Sequence, residues 1–268
     1  MDTRGTLMID LNSTAREFHN PPPADAILWR YMDFTKFVSL LETRTLFLAR
    51  ADKLGDPFEG SVPKNNIILR DTLESEFSDE EILKYALVMQ QLPRFTLISC
   101  WHESSHESEA MWRLYASVNG GIAIKSNFNA FAKSFLTAEQ IHIGAIQYVD
   151  YDNDQIPEDD LLLPYLHKRQ SFKHEQEVRV IIQYLPTGLS RTELRDSIPN
   201  LQRSEIDRWP DICDTGIDYE VDLHLLIQEV VVSHFAPDWL LDLVNLVARR
   251  YDLDVPINKS HLAESPTW

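Results

Sequence analysis

With 268 residues, 44% of them hydrophobic, the chain can bury a sizeable core, while a formal net charge of −17 excludes a broad nucleic-acid-binding surface, which needs a surplus of Lys and Arg. Cys100 and Cys213 stand far apart without CxxC spacing, which excludes a disulfide framework and a cysteine-rich zinc site. The first twenty residues include Asp2, Asp10 and Glu17 and no signal-like apolar run, and no later window approaches about twenty uninterrupted apolar residues, so the expectation is a soluble cytoplasmic protein without a membrane partner.

Residues 1–23 end in Pro21-Pro22-Pro23 and are expected as a leader, because three prolines cannot continue a helix or a central strand. Ile27 to Tyr31 predicts a strand, Asp33 caps a helix whose apolar residues run from Phe34 to Leu41, and Thr45 to Ala49 predicts a second strand. In Lys53-Leu54-Gly55-Asp56-Pro57-Phe58-Glu59-Gly60, Gly55 and Pro57 break regular structure and leave a loop suited to lining a site. Ser78 and Glu81 form a capping box for a helix that Pro93 ends. A strand over Phe95–Trp101 follows, then a helix carrying Met111, Trp112, Leu114 and Tyr115, closed by Gly120-Gly121.

Strands are predicted over Ile122–Ile124 and Ile141–Val149, with an Asn127-capped segment between them that turns Phe128 and Phe131 inward. An acidic loop spans Asp150 to Asp160, and residues 161–173 suit a helix. Residues 171–182 predict a central strand with Gln176, Val178, Val180 and Ile182 on one face and Glu175, Glu177 and Arg179 on the other. An irregular insertion over 186–216, a buried strand over Leu225–Val232, a helix from Pro237 and an edge strand at Val255–Ile257 complete the chain. The reading is a single α+β domain over residues 24–268, with a mixed β-sheet core and flanking helices.

Several motifs carry chemistry on paper. His102-Glu103-Ser104-Ser105-His106 fits HExxH, which binds zinc only when a helix sets the two histidines one turn apart; here it follows an apolar strand, so a solvated loop is expected and no metal. The acidic run from Asp150 lacks the glycine and terminal glutamate of an EF-hand loop and is read as a surface turn. No P-loop or GxGxxG is present. Trp112 and Tyr115 pack in the core or stack on a planar ligand. Glu175 and Glu177, about 6.6–6.8 Å apart if both lie on a strand, either form a salt ladder with Arg179 or share a shielded cleft in which one carboxyl is pushed up.

The order Leu28-Trp29-Arg30-Tyr31, Asp56-Pro57-Phe58-Glu59, Ser99-Cys100-Trp101, Met111-Trp112, Gly121-Ile122-Ala123-Ile124 and Lys168 to Phe172 with Glu175-Gln176-Glu177-Val178-Arg179 resembles the bacterial domain-of-unknown-function family 2971, with Phe172 where that family usually shows Trp. Placement of Arg30 and the Glu-Gln-Glu triplet is also distantly similar to ADP-ribosyltransferases. That resemblance implies an ADP-ribosyltransferase-like fold and NAD as substrate. Glu177 would hold the ribose 2′-hydroxyl and stabilise an oxocarbenium-like centre, Glu175 would take the acceptor's proton, and Arg30 would bind pyrophosphate. Tyr31, Trp112, Tyr115 and Arg179 complete the expected ligand-binding set. The implied function is an ADP-ribosyltransferase or NAD glycohydrolase acting on a macromolecular acceptor, as a toxin or phage-defence effector. A non-catalytic nucleotide-sensing or protein-interaction module is the alternative. A glycoside or phosphoester hydrolase using Glu175 and Glu177 as acid and base lacks metal ligands or sugar-stacking aromatics beside them.

Overall fold

A computed structural model of the chain describes residues 16–72, 78–116 and 120–266. Its strands, in chain order, are β1 (Arg16–His19), β2 (Ile27–Asp33), β3 (Thr45–Arg50), β4 (Thr96–Glu103), β5 (Gly121–Asn127), β6 (Ile141–Ala145), β7 (Gln147–Val149), β8 (His167–Arg169), β9 (Glu177–Gln183), β10 (Gly216–Glu220), β11 (Glu229–Val232) and β12 (Ile257–Lys259). Two compact units emerge. One runs up to Leu46 and adds Cys100–Ile143 and Tyr219 onward; the other comprises Phe47–Ser99 and Gly144–Asp218. The boundaries between the two sets of residues fall within β3, β4, β6 and β10. None of the described helices is long and apolar enough to cross a membrane.

In the first unit β2 is antiparallel to both β4 and β5, β5 is antiparallel to β11, and β11 is parallel to β12, so the sheet is mixed as the α+β reading expects. Strand alternation puts Trp29 and Tyr31 on one face of β2, and the register aligns Tyr31 with Ala123 and Ala123 with Val231. Helix Glu109–Tyr115 lays Met111 and Trp112 on that face. Two local signals work as read: Asp33 accepts from Lys36 N and Asn127 from Ala130 N. Helix Phe34–Thr43 ends at a left-handed Arg44.

In the second unit β3 is antiparallel to β4, and Tyr184 N, just past β9, donates to Phe95 O. β7 and β8 form a separate parallel pair. Gly216 admits no side chain, since a Cβ there would stand 2.3 Å from Leu48 O. Helix Asp79–Gln91 starts with the reciprocal Ser78–Glu81 box. Short helices at Arg191–Ser197 and Arg203–Ile206 occupy the stretch expected as irregular.

Four expected elements differ. Residues 161–173 are not a helix but a 3₁₀ turn at Leu163–Leu166, then β8, then a 3₁₀ turn at Gln170–Glu175; Pro164 in the first turn has no N–H to extend a helical ladder. The central strand starts only at Glu177, because Gln176 takes a left-handed backbone (φ 41°) that closes the preceding turn. Leu225–Val232 shortens to β11, since Asp222 accepts from His224 N and Leu225 N and holds a helical turn at Leu223–Leu226. Ile141–Val149 breaks at Ile146, whose N–H donates to Glu177 O. Within the expected leader, Arg16–His19 form β1, and residues 1–15 lie outside the described residues.

Candidate functional site

In the second unit the Asp56-Pro57-Phe58-Glu59 loop and the Lys168 to Arg179 segment meet. Asp56 folds the loop back by accepting from Phe58 N and binds Arg169 across 2.7 Å. Gly60 follows with φ +75° against the Tyr165 ring, where any Cβ would fall 2.5 Å from a ring carbon. That close approach carries Glu59 inward. Arg179 clamps Glu59 with two parallel bonds, Nη1 to Oε2 at 2.7 Å and Nη2 to Oε1 at 2.8 Å, and donates Nε to Glu177 Oε2 at 2.5 Å. Lys168 Nζ donates to Glu175 Oε2 at 2.5 Å and to Glu177 Oε1 at 2.6 Å. Glu177 N in turn donates to the Tyr148 hydroxyl at 2.9 Å. The ammonium of Lys168 also lies 4.5 Å from the centre of the Phe172 ring.

All five ionisable groups are buried, Arg179 completely and Glu177 to 6% exposure. Burial alone would push the Glu177 carboxyl up; the charge of Arg179, a hydrogen bond with Glu175, the charge of Lys168 and the Arg179 bond outweigh it and hold the group well below the usual carboxylate range. Burial likewise works against the Lys168 ammonium, but Glu177 and the bonds to both glutamates keep it above its ordinary value. Glu59, Glu175 and Glu177 against Lys168 and Arg179 leave one carboxyl in excess. Of the two expected arrangements, Glu177 takes the pairing with Arg179, and the shielded cleft that pushes one carboxyl up is corrected. Glu175 is on a turn, cations stand between the acids, and Glu177 is pushed down rather than up.

A pocket of about 430 Å³ opens in the same unit, lined by Glu59, Val62, Ile67, Ile82, Ala86 and Met89 among others. Its walls are mostly apolar, with Glu59 as the charged residue among them, and its size lies in the range of small-molecule sites. Glu59 thus joins the pocket to the buried cluster. Sequence reasoning quoted Glu59 and Lys168 without giving them a site role; their signal was the fixed DPFE and Lys-x₆-Glu-x-Glu-x-Arg spacing, but the partners lie up to 120 residues apart.

The remaining expected site residues belong to the first unit. Arg30 and Tyr31 are neighbours on β2 and so point to opposite faces. Arg30 donates to Cys100 O at 3.2 Å and its guanidinium lies 5.9 Å from the Trp101 ring centre; burial pushes its pKa down. Tyr31 packs edge-on to Trp112 with ring centres 4.9 Å apart, and its oxygen accepts from Ser108 N. Trp112 is 1% exposed and its indole N–H donates to Glu107, whereas Tyr115 is 47% exposed. The structure brings Glu175, Glu177 and Arg179 together, and Tyr31 with Trp112. His102 lies on β4 and is buried beside Tyr31, while His106 is in the loop beyond, so the HExxH pattern is not on one helix and its first histidine is not solvated. Asp150 closes the acidic turn by accepting from Asp152 N and Asn153 Nδ2.

No family model matches the chain, and no curated protein matches it by sequence. Among solved structures, DarT from Thermus sp. 2.9, in complex with carba-NAD+, aligns over 90% of this chain and 97% of its own at a TM-score of 0.35 and 7% identity.

Proposed function

We propose that the chain transfers ADP-ribose from NAD to a macromolecular acceptor or to water, with Glu177 as the carboxylate that steadies the reacting ribose. The observation that carries this reading is the excess carboxyl in a buried ionic cluster whose Glu59 reaches a mostly apolar pocket. Such a site favours a ligand that is flat, apolar and positively charged, which describes the nicotinamide ring of NAD. As the bond from the ribose C1′ to the ring nitrogen breaks, the electron pair goes to the ring and cancels its charge, while positive charge develops on the ribose. Fixed anions in a water-poor site stabilise that charge without having to reorient. The acceptor's oxygen or nitrogen then bonds to C1′, and its proton goes to Glu175. Each oxygen of Glu177 holds one hydrogen bond to a cation and retains a lone pair for the ribose 2′-hydroxyl.

The test is nicotinamide release from NAD by the purified chain, alone and with cell extract as a source of acceptors. Glu177→Gln is expected to lower turnover on the order of 10²–10³-fold, the scale of removing one charge-stabilising group, with folding checked by near-ultraviolet circular dichroism. Turnover that survives this change intact would overturn the assignment. Arg30→Ala in the same assay tests the expected pyrophosphate contact.

A second reading, a non-catalytic ligand-sensing module, is favoured by the 6% exposure of Glu177 and the cation on each of its oxygens. It predicts that NAD or a related nucleotide raises the melting temperature while no nicotinamide is released.

A further inference from the structure

Glu17, His19 and His142 bring three metal-ligating side chains to one point of the first unit, with their donor atoms all within 4.8 Å of one another. The local cause is strand alternation. On β1, Phe18 turns toward the core and meets the Phe128 ring edge-on at 5.8 Å, so Glu17 and His19 on either side of it share the opposite face. β6 lies beside β1 and supplies His142, which is 1% exposed and therefore fixed in place.

We propose that these three residues bind one zinc-class divalent transition ion, with a fourth position left for water or an exchangeable ligand. A tetrahedral zinc with bonds of about 2.0–2.1 Å sets its ligand atoms about 3.3–3.4 Å apart. His19 Nε2 and His142 Nδ1 are 3.2 Å apart, and a Glu17 oxygen is 3.3 Å from His142 Nδ1. The other Glu17 oxygen is 3.7 Å from His19 Nε2, so a small rotation of this 45%-exposed carboxylate completes the triangle. The donor set of two imidazoles and one carboxylate is the one used at open zinc sites, and its nitrogen donors disfavour magnesium and calcium. Gln140 Nε2 donates to Glu17 Oε2 at 3.2 Å, an outer-shell bond that orients the carboxylate. The ion would tie β1 to β6.

The competing arrangement is a shared N–H···N bond between the two imidazoles with Glu17 at its rim, and cobalt distinguishes the two. The untagged 268-residue chain, stripped with chelator, is titrated with Co²⁺ and followed by visible absorption. One equivalent with the intense bands of four-coordinate cobalt, displaced by Zn²⁺, is expected. His19→Ala and Glu17→Gln, both on the partly exposed β1, should weaken binding by more than the roughly 10–100-fold that loss of an outer-shell partner costs, and His224→Ala, an exposed histidine elsewhere in the unit, should leave it unchanged. No four-coordinate spectrum in the wild-type chain, or the same uptake in the His19→Ala/Glu17→Gln double variant, overturns the proposal.

Discussion

The aromatic cluster of the first unit and the ionic cluster of the second are buried to the same degree and are held together by opposite means. Trp29, Tyr31, Met111 and Trp112 bury apolar area against Ala123 and Val231, and each contact adds to stability. Glu59, Lys168, Glu175, Glu177 and Arg179 give up hydration, and their mutual attraction offsets that cost only while every partner is present. Packing tolerates small changes. A buried charge network does not, and a chain that keeps one beside a pocket retains an interior in which charge can be stabilised.

The largest contrast is expected from Arg179→Ala. It strips the bidentate partner from Glu59 and one of the two cations from Glu177, all inside the protein, and should destabilise the fold by about 3–5 kcal/mol in urea unfolding, the cost of leaving a buried ion uncompensated. An unfolding free energy within 1 kcal/mol of wild type, on the scale of an exposed pair, would mean that water reaches the cluster and that its charges are not buried in solution.

Glu177→Gln is the next largest, because it keeps the shape and removes the charge. Loss of charge-assisted bonds should cost about 1.5–3 kcal/mol at neutral pH. The pH dependence has a fixed sign. Glu177 is pushed down in the folded chain, so its stabilisation is fully present above the unfolded carboxyl pKa of about 4.3 and is lost as pH falls below it toward the folded value. Wild-type stability should therefore drop from about pH 4 downward, and that part of the acid slope should be missing in Glu177→Gln. Equal slopes in urea titrations between pH 3 and pH 7 would show that Glu177 is not the group held ionised.

The two clusters also differ in what the sequence reveals of them. Helical spacing puts Met111 and Trp112 on an inward face, and single residues such as Ser78, Asp33 and Asn127 mark helix starts because a cap acts over three residues. Parity along β9 likewise puts Glu177 and Arg179 on one face. It fails at Gln176, where a left-handed residue resets the alternation and lets Glu175 join the cluster from a turn. The partners are harder still: Glu59 meets Arg179 from 120 residues away, and His19 meets His142 from 123. Alternation fixes which way a side chain points, whereas the identity of what it meets is set by strand neighbours that no local pattern encodes.

Two tyrosines bound the small end of the comparison. Tyr31→Phe keeps the ring against Trp112 and removes only the oxygen that accepts from Ser108 N, so about 0.5–1.5 kcal/mol is expected, well below the cost of an equally small change at Glu177. Tyr115 sits three residues beyond Trp112 on the same helix yet is 47% exposed, and Tyr115→Ala should stay within about 0.5 kcal/mol of wild type by urea unfolding. Because that change leaves the fold intact, any loss of NAD-induced thermal shift in the variant reports a contact with the ligand itself. An unaltered shift assigns the binding energy to residues other than this ring, and removes Tyr115 from the ligand-binding set that the sequence suggests.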